Sequence, residues 1–309
     1  SELSATLDGP SGKNSSYILS VRRSYLQFLF DAIGLPFLPT FTDYQFKHKT
    51  LFADRSELTI VSLGALDDFA LNLGIEEPDE SQEYILSYLP VNKQWSYAIG
   101  ANYKKFSENG FQRFIVSRNM LNNISYKYPE NDETQSKILD YSSQEIENKM
   151  RYEYVTRKNG YKITSGISGE FAKYNNKTFQ QFSIGNTVFT KNYDAAIDLF
   201  KYGMFTQVSK KVLQERLVIS AGIRFDGNSY SSSMSNPLDQ ISPRVSLSYG
   251  LSEKINLNFN TGRYFQLPPY TALGYKNNQN EYVNKDNGIS YISVNHVIGG
   301  IQYQLNKQV

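Results

Sequence analysis

The sequence predicts an all-β chain: an antiparallel wall of about thirteen strand segments that forms an incomplete part of a larger transmembrane β-barrel. Three observations carry this expectation. Apolar residues alternate with polar ones at period two along most of the 309 residues. The connections between alternating segments are by turns short and long. The aromatic share sits in 24 Tyr and 19 Phe against a single Trp, the amphipathic ring chemistry of strands half in apolar surroundings and half in water.

Alternation is cleanest in Ile255-Asn256-Leu257-Asn258-Phe259-Asn260-Thr261, where one face carries Ile255, Leu257 and Phe259 and the other three Asn. The Asn ladder suits a wet lumen, so Leu257, Phe259, Leu247 and Ile219 are expected to point outward and Asn256, Asn258 and Arg224 inward. The segment holding Ile146, Asn148, Met150, Tyr152 and Tyr154 has an almost wholly ionic second face, Glu145, Glu147, Lys149, Arg151 and Glu153, which needs water or a polar partner.

Short turns are read at Pro10 to Asn14, Ala53 to Ser56, Ser107 to Gly110, Arg157 to Gly160, Lys210 to Glu215 and Leu251 to Lys254. Longer polar links are read at Asp31 to Thr42, Gly74 to Lys93, Tyr128 to Lys137, Tyr174 to Asp194, Gly227 to Gln240 and Gln266 to Ser290, with one turn of helix within Asp79 to Leu89. Short connections at one rim and long ones at the other are the hairpin asymmetry of outer-membrane barrels.

Composition removes other classes. No run approaches the roughly 18 apolar residues of a spanning helix, and a barrel needs none. With no Cys there is no disulfide framework, thiolate metal site or Cys nucleophile. A formal net charge of +2 gives no reason to expect a nucleic-acid partner.

The local motifs read blandly. Gly9-Pro10-Ser11-Gly12-Lys13-Asn14 lacks the first Gly of a phosphate loop, since Leu7 stands there, and joins two alternating strands; it reads as a hairpin turn. Gly166 to Glu170 fails the nucleophile-elbow spacing and reads as wall. His48 and His296 stand alone, with no ligand or triad companion nearby in sequence. The acidic stretch from Asp67 and Asp68 through Glu76, Glu77, Asp79 and Glu80 has no fixed calcium-loop pattern and reads as a solvated outside loop. No cofactor or metal is expected.

At Gly262-Arg263-Tyr264-Phe265-Gln266-Leu267-Pro268-Pro269-Tyr270 the prolines must end a strand and open a loop rich in Tyr, Asn and Lys, material for ligand contact. The expected ligand-binding residues are Tyr230, Tyr264, Gln266, Tyr270 and Tyr275 on the long-loop side, with Asp67 and Asp68 as further candidates.

These same segments carry a family resemblance. Ala221 to Asp226, Ile241 to Tyr249 and Leu257 to Tyr270 resemble successive barrel strands of TonB-dependent receptors, which tend to show a Gly-x-Arg-x-Asp strand, a Ser-Pro-Arg strand start and a strand ending in an aromatic, a basic residue and Pro. Gln266 stands where Arg or Lys is usual. Leu3 to Pro10 and Tyr17 to Tyr25 resemble early strands of receptors of the Bacteroidetes type. The resemblance implies an outer-membrane importer without bond chemistry. Its partners would be outer-membrane lipid, an external ligand (siderophore, glycan, peptide or cobalamin) and a TonB complex acting through a plug region absent from residues 1–309, which read as one barrel portion. A porin, an outer-membrane enzyme and a soluble β-sandwich are the rival readings.

An odd number of segments makes the first and last strands run the same way, so an antiparallel ladder is not expected to close between them. The chain should form an open wall, ending where a short turn is expected at Asn306 to Val309.

Overall fold

The computed structural model describes residues 2–305. It contains one sheet of thirteen strands, each hydrogen-bonded to its sequence neighbours and all antiparallel. The strands are β1 (Glu2–Gly12), β2 (Ser15–Ser24), β3 (Phe37–Leu51), β4 (Glu57–Leu71), β5 (Val91–Ser107), β6 (Gly110–Lys127), β7 (Leu139–Lys158), β8 (Tyr161–Ile184), β9 (Thr187–Val212), β10 (Leu217–Asn228), β11 (Ser242–Gly250), β12 (Ile255–Gln266) and β13 (Ile292–Tyr303). β1 is not bonded to β13, so the sheet is open, as the parity of its strands requires. The turn expected at Asn306 to Val309 lies outside the described residues.

Each hairpin at the short-turn rim is built by local backbone chemistry. Between β7 and β8, Asn159 (φ 51) and Gly160 (φ 76) both take left-handed angles, the two-residue turn whose twist matches that of the strands. The opposite rim carries the longer links and the five short helices: α1 (Leu26–Ala32), α2 (Glu80–Tyr88), α3 (Ser232–Ser235), α4 (Tyr270–Leu273) and α5 (Val283–Asp286). α2 falls where the sequence places a turn of helix.

Two expected links are corrected. Strand β3 already begins at Phe37, inside the link expected from Asp31 to Thr42. The link expected from Tyr174 to Asp194 does not exist: β8 and β9 run straight through it as strands of 24 and 26 residues and turn only at Gly185 (φ 59) and Asn186. Asn175, Asn176, Lys177 and Gln180 suggest a solvated loop, but each has a cross-strand partner on β9, and Phe182 stacks on Phe189 at 5.8 Å near the tip.

Register fixes two faces. On one, the rows are apolar: Ile99 and Phe114, Met150, Ile167, Phe171, Phe200 and Met204 are all exposed, as are Ile219, Val245, Leu257 and Phe259. On the other, Asn256 and Asn258 align with Gly250 and Ser248, and Asn260 aligns with Ser246 and onward with Ser220 of β10. The alternation thus sorts as expected, with Arg224 on the polar face beside Asp226 at 2.6 Å. Loops from the long rim fold over the polar face, which is therefore the inner one. The hydroxyl of Tyr270, just past β12, reaches Glu147 on β7. Five strand spacings in a flat sheet would separate those strands by about 24 Å, so the wall curls toward that face.

Candidate functional site

The inner face of β7, β8 and β9 carries an ionic band under a cap made by two long loops. Cross-strand register sets Glu147 opposite Ala172 and Lys149 opposite Glu170 on β8, then Glu170 opposite Lys201 on β9. Glu147 accepts from Lys149 at 2.6 Å, from Lys201 at 3.2 Å and from the Asn119 amide at 3.1 Å, and Lys201 also pairs with Glu170. Nearer the short-turn rim, Glu153 is held by Arg113 and by Arg151 at 2.5 Å. Glu147, Glu153 and Glu170 each have a cationic partner, which is what makes their burial tolerable.

Tyr270 closes the band from above. Its hydroxyl donates to Glu147 at 2.5 Å and accepts from Lys201 Nζ at 2.6 Å. Burial, and then the adjacent Glu147 carboxylate, push this phenol far above its ordinary range, so it acts as a neutral donor at any physiological pH. Behind it lies the one cluster of buried apolar side chains among the described residues: Ala172, Tyr174, Ile197 and Leu199 from the wall, with Tyr230, Met234, Tyr270 and Leu273 from the loops. Tyr174 stacks on Tyr270 at 5.9 Å.

Hydrogen bonds tie the two loops together. Asn228, at the end of β10 and fully buried, donates to the Tyr291 hydroxyl at 2.8 Å and accepts from the Tyr230 amide at 2.8 Å. Tyr230 donates to the Leu273 carbonyl at 2.6 Å, and burial pushes its phenol up to about 12. The tall β8–β9 hairpin serves as a buttress. Tyr282 donates to the Ala196 carbonyl at 2.7 Å, Asn278 donates to Thr190, and Tyr275 meets the Tyr193 ring edge-on at 5.8 Å.

Between cap and wall a hollow of about 350 Å³ remains, bordered by Lys149, Arg151, Glu170, Lys201, Arg224 and Asp226. Its lining holds more guanidinium and ammonium than carboxylate groups. Oxygen-rich, polar or anionic chemistry suits it.

The residues expected at the ligand site are dispersed by the structure. Tyr230 and Tyr270 are in the long loops but buried, with their hydroxyls committed to protein partners. Tyr264 and Gln266 are strand residues of β12, and Tyr264 lies on the inner face beneath the Arg244 guanidinium at 4.3 Å and beside His296 at 4.9 Å. Tyr275 is half-buried in the cap, with Lys191 over its ring. Asp67 and Asp68 are strand residues of β4 rather than part of an outside loop, opposite Phe41 and Thr40. Sequence reading missed Glu147, Lys201 and Asn228 as the groups that hold the cap; the ionic face of β7 was the available signal. It also gave His48 no Ser companion, whereas Ser11 Oγ lies 2.8 Å from His48 Nε2 across the first hairpin, with no carboxylate in that pair. Among the described residues no cluster of His, Asp and Glu could hold a metal ion.

A family profile described as TonB dependent receptor-like, beta-barrel, matches residues 20–296. The chain belongs to this family. No curated protein matches it. Solved structures share the fold at low identity. The copper transporter OprC superposes with a TM-score of 0.67 at 13% identity, over 99% of this chain and 50% of its own. The ferric enterobactin receptor PfeA of Pseudomonas aeruginosa, as a mutant, gives 0.61 at 15%, over 88% and 42%. The ferric-catecholate import receptor Fiu of E. coli K12 gives 0.62 at 11%, over 99% and 54%. The chain thus spans about half the length of the receptors it resembles.

Proposed function

We propose that residues 1–309 are a single barrel portion of an outer-membrane active-transport receptor, of the Bacteroidetes type, that binds an external ligand and admits it through its lumen with energy supplied by a TonB complex. The observation that carries this is the family match over residues 20–296, coinciding with a wall whose faces are apolar on one side and ionic on the other. A wall of that kind is stable only with lipid outside and water or protein inside. The plug, and with it the contact to TonB, belongs to the remainder of the receptor.

The ligand is external: a siderophore, glycan, peptide or cobalamin. Contact is assigned to Tyr264, Gln266 and Tyr275 at the inner mouth, with Asp67 on the opposite arc of the wall; Asp68, next to it in β4, lies on the outer face in register with Lys93. Tyr230 and Tyr270 act from behind by holding the cap in place. The mechanism is binding and gated passage, with no bond made or broken, so the protein is not an enzyme.

Uptake in cells carrying the receptor tests this, measured with the inner membrane energised and de-energised. Surface binding is expected in both states and accumulation only in the first. Replacing Tyr264 and Tyr275 together by Ala should weaken binding about tenfold or more while the receptor still assembles. Accumulation that ignores the energy state would assign the wall to a passive porin.

A further inference from the structure

The apolar outer face of β5, β6 and β7 contains one cation that its surroundings do not neutralise. Arg118 of β6 lies on this face between Ile99 and Asn148, in a row continued by Phe171 and Phe200. The edges of the apolar zone are legible in register. Lys105, Gln112, Tyr154 and Ser165 form a polar row near the short turns, and Asn122, Gln144 and Asn175 form another toward the long loops. From Gln112 to Asn122 is about ten residues, the length of a tilted strand crossing a bilayer. Arg118 falls inside that interval and nearer its long-loop edge, which faces the cell exterior.

A guanidinium there is costly unless an anion meets it. Its Nε donates to the Tyr97 hydroxyl at 2.9 Å and its Nη1 to the Asn148 side-chain carbonyl at 2.8 Å. Both partners are neutral, and among the described residues no carboxylate pairs with Arg118. The other cations high on this part of the face, Lys93, Lys173 and Lys177, are in register with Asp68, Asp198 and Asp194, whereas Arg118 is in register with Ile99 and Asn148. The two bonds fix the plane of the guanidinium and leave the Nη2 donors unbonded to any described protein atom. Beside it opens an apolar hollow of about 740 Å³, bordered by Ile60, Ile99, Val116, Met150, Phe171 and Phe200.

We propose that Arg118, oriented by Tyr97 and Asn148, binds the phosphate of an outer-leaflet lipid, whose acyl chains lie in the adjoining hollow. A planar, always-charged fork matches phosphate oxygens, and the long side chain reaches up toward the headgroup level. The inference rests on the wall standing in a membrane and not on which ligand the lumen carries, so transport data leave it untouched.

Native mass spectrometry of the full receptor in mild detergent tests it, with a bis-phosphorylated lipid A as probe and the same lipid stripped of phosphate as control. On the unmodified receptor the phosphorylated lipid should bind about tenfold or more tightly. Arg118→Leu should abolish that preference, Arg118→Lys should keep part of it, and millimolar inorganic phosphate should not displace the lipid. Equal binding of the two lipids to the unmodified receptor overturns the proposal, whatever the variants do. A preference that survives in Arg118→Leu places the phosphate elsewhere and overturns it too. Displacement by inorganic phosphate would make this a free-anion site and overturn the lipid assignment.

Discussion

Two sets of outside loops differ sharply in how they are held. The links from β2 to β3 and from β4 to β5 carry α1 and α2, neither of which buries a single residue. Phe28, Ile33, Tyr84 and Tyr88 there are all exposed, Tyr84 and Tyr88 stacked on each other at 5.9 Å. The links after β10 and β12 carry α3 and α4, which are shorter, yet they bury Met234, Tyr270 and Leu273. Helix length therefore says nothing about which loop is anchored. What differs is the wall: the capped loops stand beside the two tallest strands, β8 and β9, whose inner faces offer Tyr174, Ile197 and Leu199 as a floor. A loop in a barrel becomes rigid when a strand rises high enough to meet it.

The largest expected effect tests that floor. Leu273→Ala should destabilise the cap by about 2–5 kcal/mol, because it leaves a cavity in the cluster of buried side chains. Tyr84→Ala, removing a larger side chain from an exposed helix, should stay within about 0.5 kcal/mol. Hydrogen exchange of the loop amides in the full receptor reads both. Comparable loosening by the two substitutions would erase the distinction between the loop sets and imply that α2 packs on something beyond this chain.

A smaller effect is expected from the ionic side of the cap. Tyr270→Phe keeps the ring against Tyr174 and deletes the hydroxyl that bridges Glu147 and Lys201. Lost hydrogen bonds to charged groups cost about 1.5–3 kcal/mol each, and retention of the Glu147–Lys201 pair at 3.2 Å moderates the loss. Faster exchange should appear across residues 267–291 and not in α2. In a double-mutant cycle, Glu147→Gln should couple to Tyr270→Phe; strict additivity would mean that the short contact contributes nothing.

The sequence made the wall legible because a barrel strand states its two faces locally, residue by residue. Strand number, the sorting of Asn256, Asn258 and Arg224, the turn at Asn159 and Gly160, and helix α2 all follow from patterns within twenty residues. The β8–β9 tip was misread because Asn, Lys and Gln in succession look alike in a solvated loop and in a strand standing clear of the apolar zone. The cap was illegible for another reason. Tyr270 and Glu147 are 123 positions apart, and nothing local marks them as partners. For the same reason Tyr230 and Tyr270 read as ligand contacts, since a loop tyrosine does not announce whether its ring faces out or down. Arg118 shows the converse: its register identifies it only once Ile99 and Asn148 are known to flank it.

The smallest effect belongs to the uncapped loops, where stability has to come from backbone satisfaction rather than burial. Helix α2 begins with a capping box: the Asp79 carboxylate accepts from the Gln82 amide at 2.8 Å, and the Gln82 side chain accepts from the Asp79 amide at 2.8 Å. The same Gln82 donates through Nε2 to the Gly34 carbonyl at 2.7 Å, so this cap also ties the β4–β5 link to the β2–β3 link. Deleting the cap oxygen with Asp79→Ala should cost about 1 kcal/mol, whereas Asp79→Ser, which retains an acceptor, should cost a few tenths. Because α2 buries nothing, the loss should remain local, with faster exchange in residues 80–88 and near Gly34 and none in residues 267–291. Exchange that spreads into the cap after Asp79→Ala would show the two loop sets to be one cooperative unit, and the height of β8 and β9 would then not be what separates them.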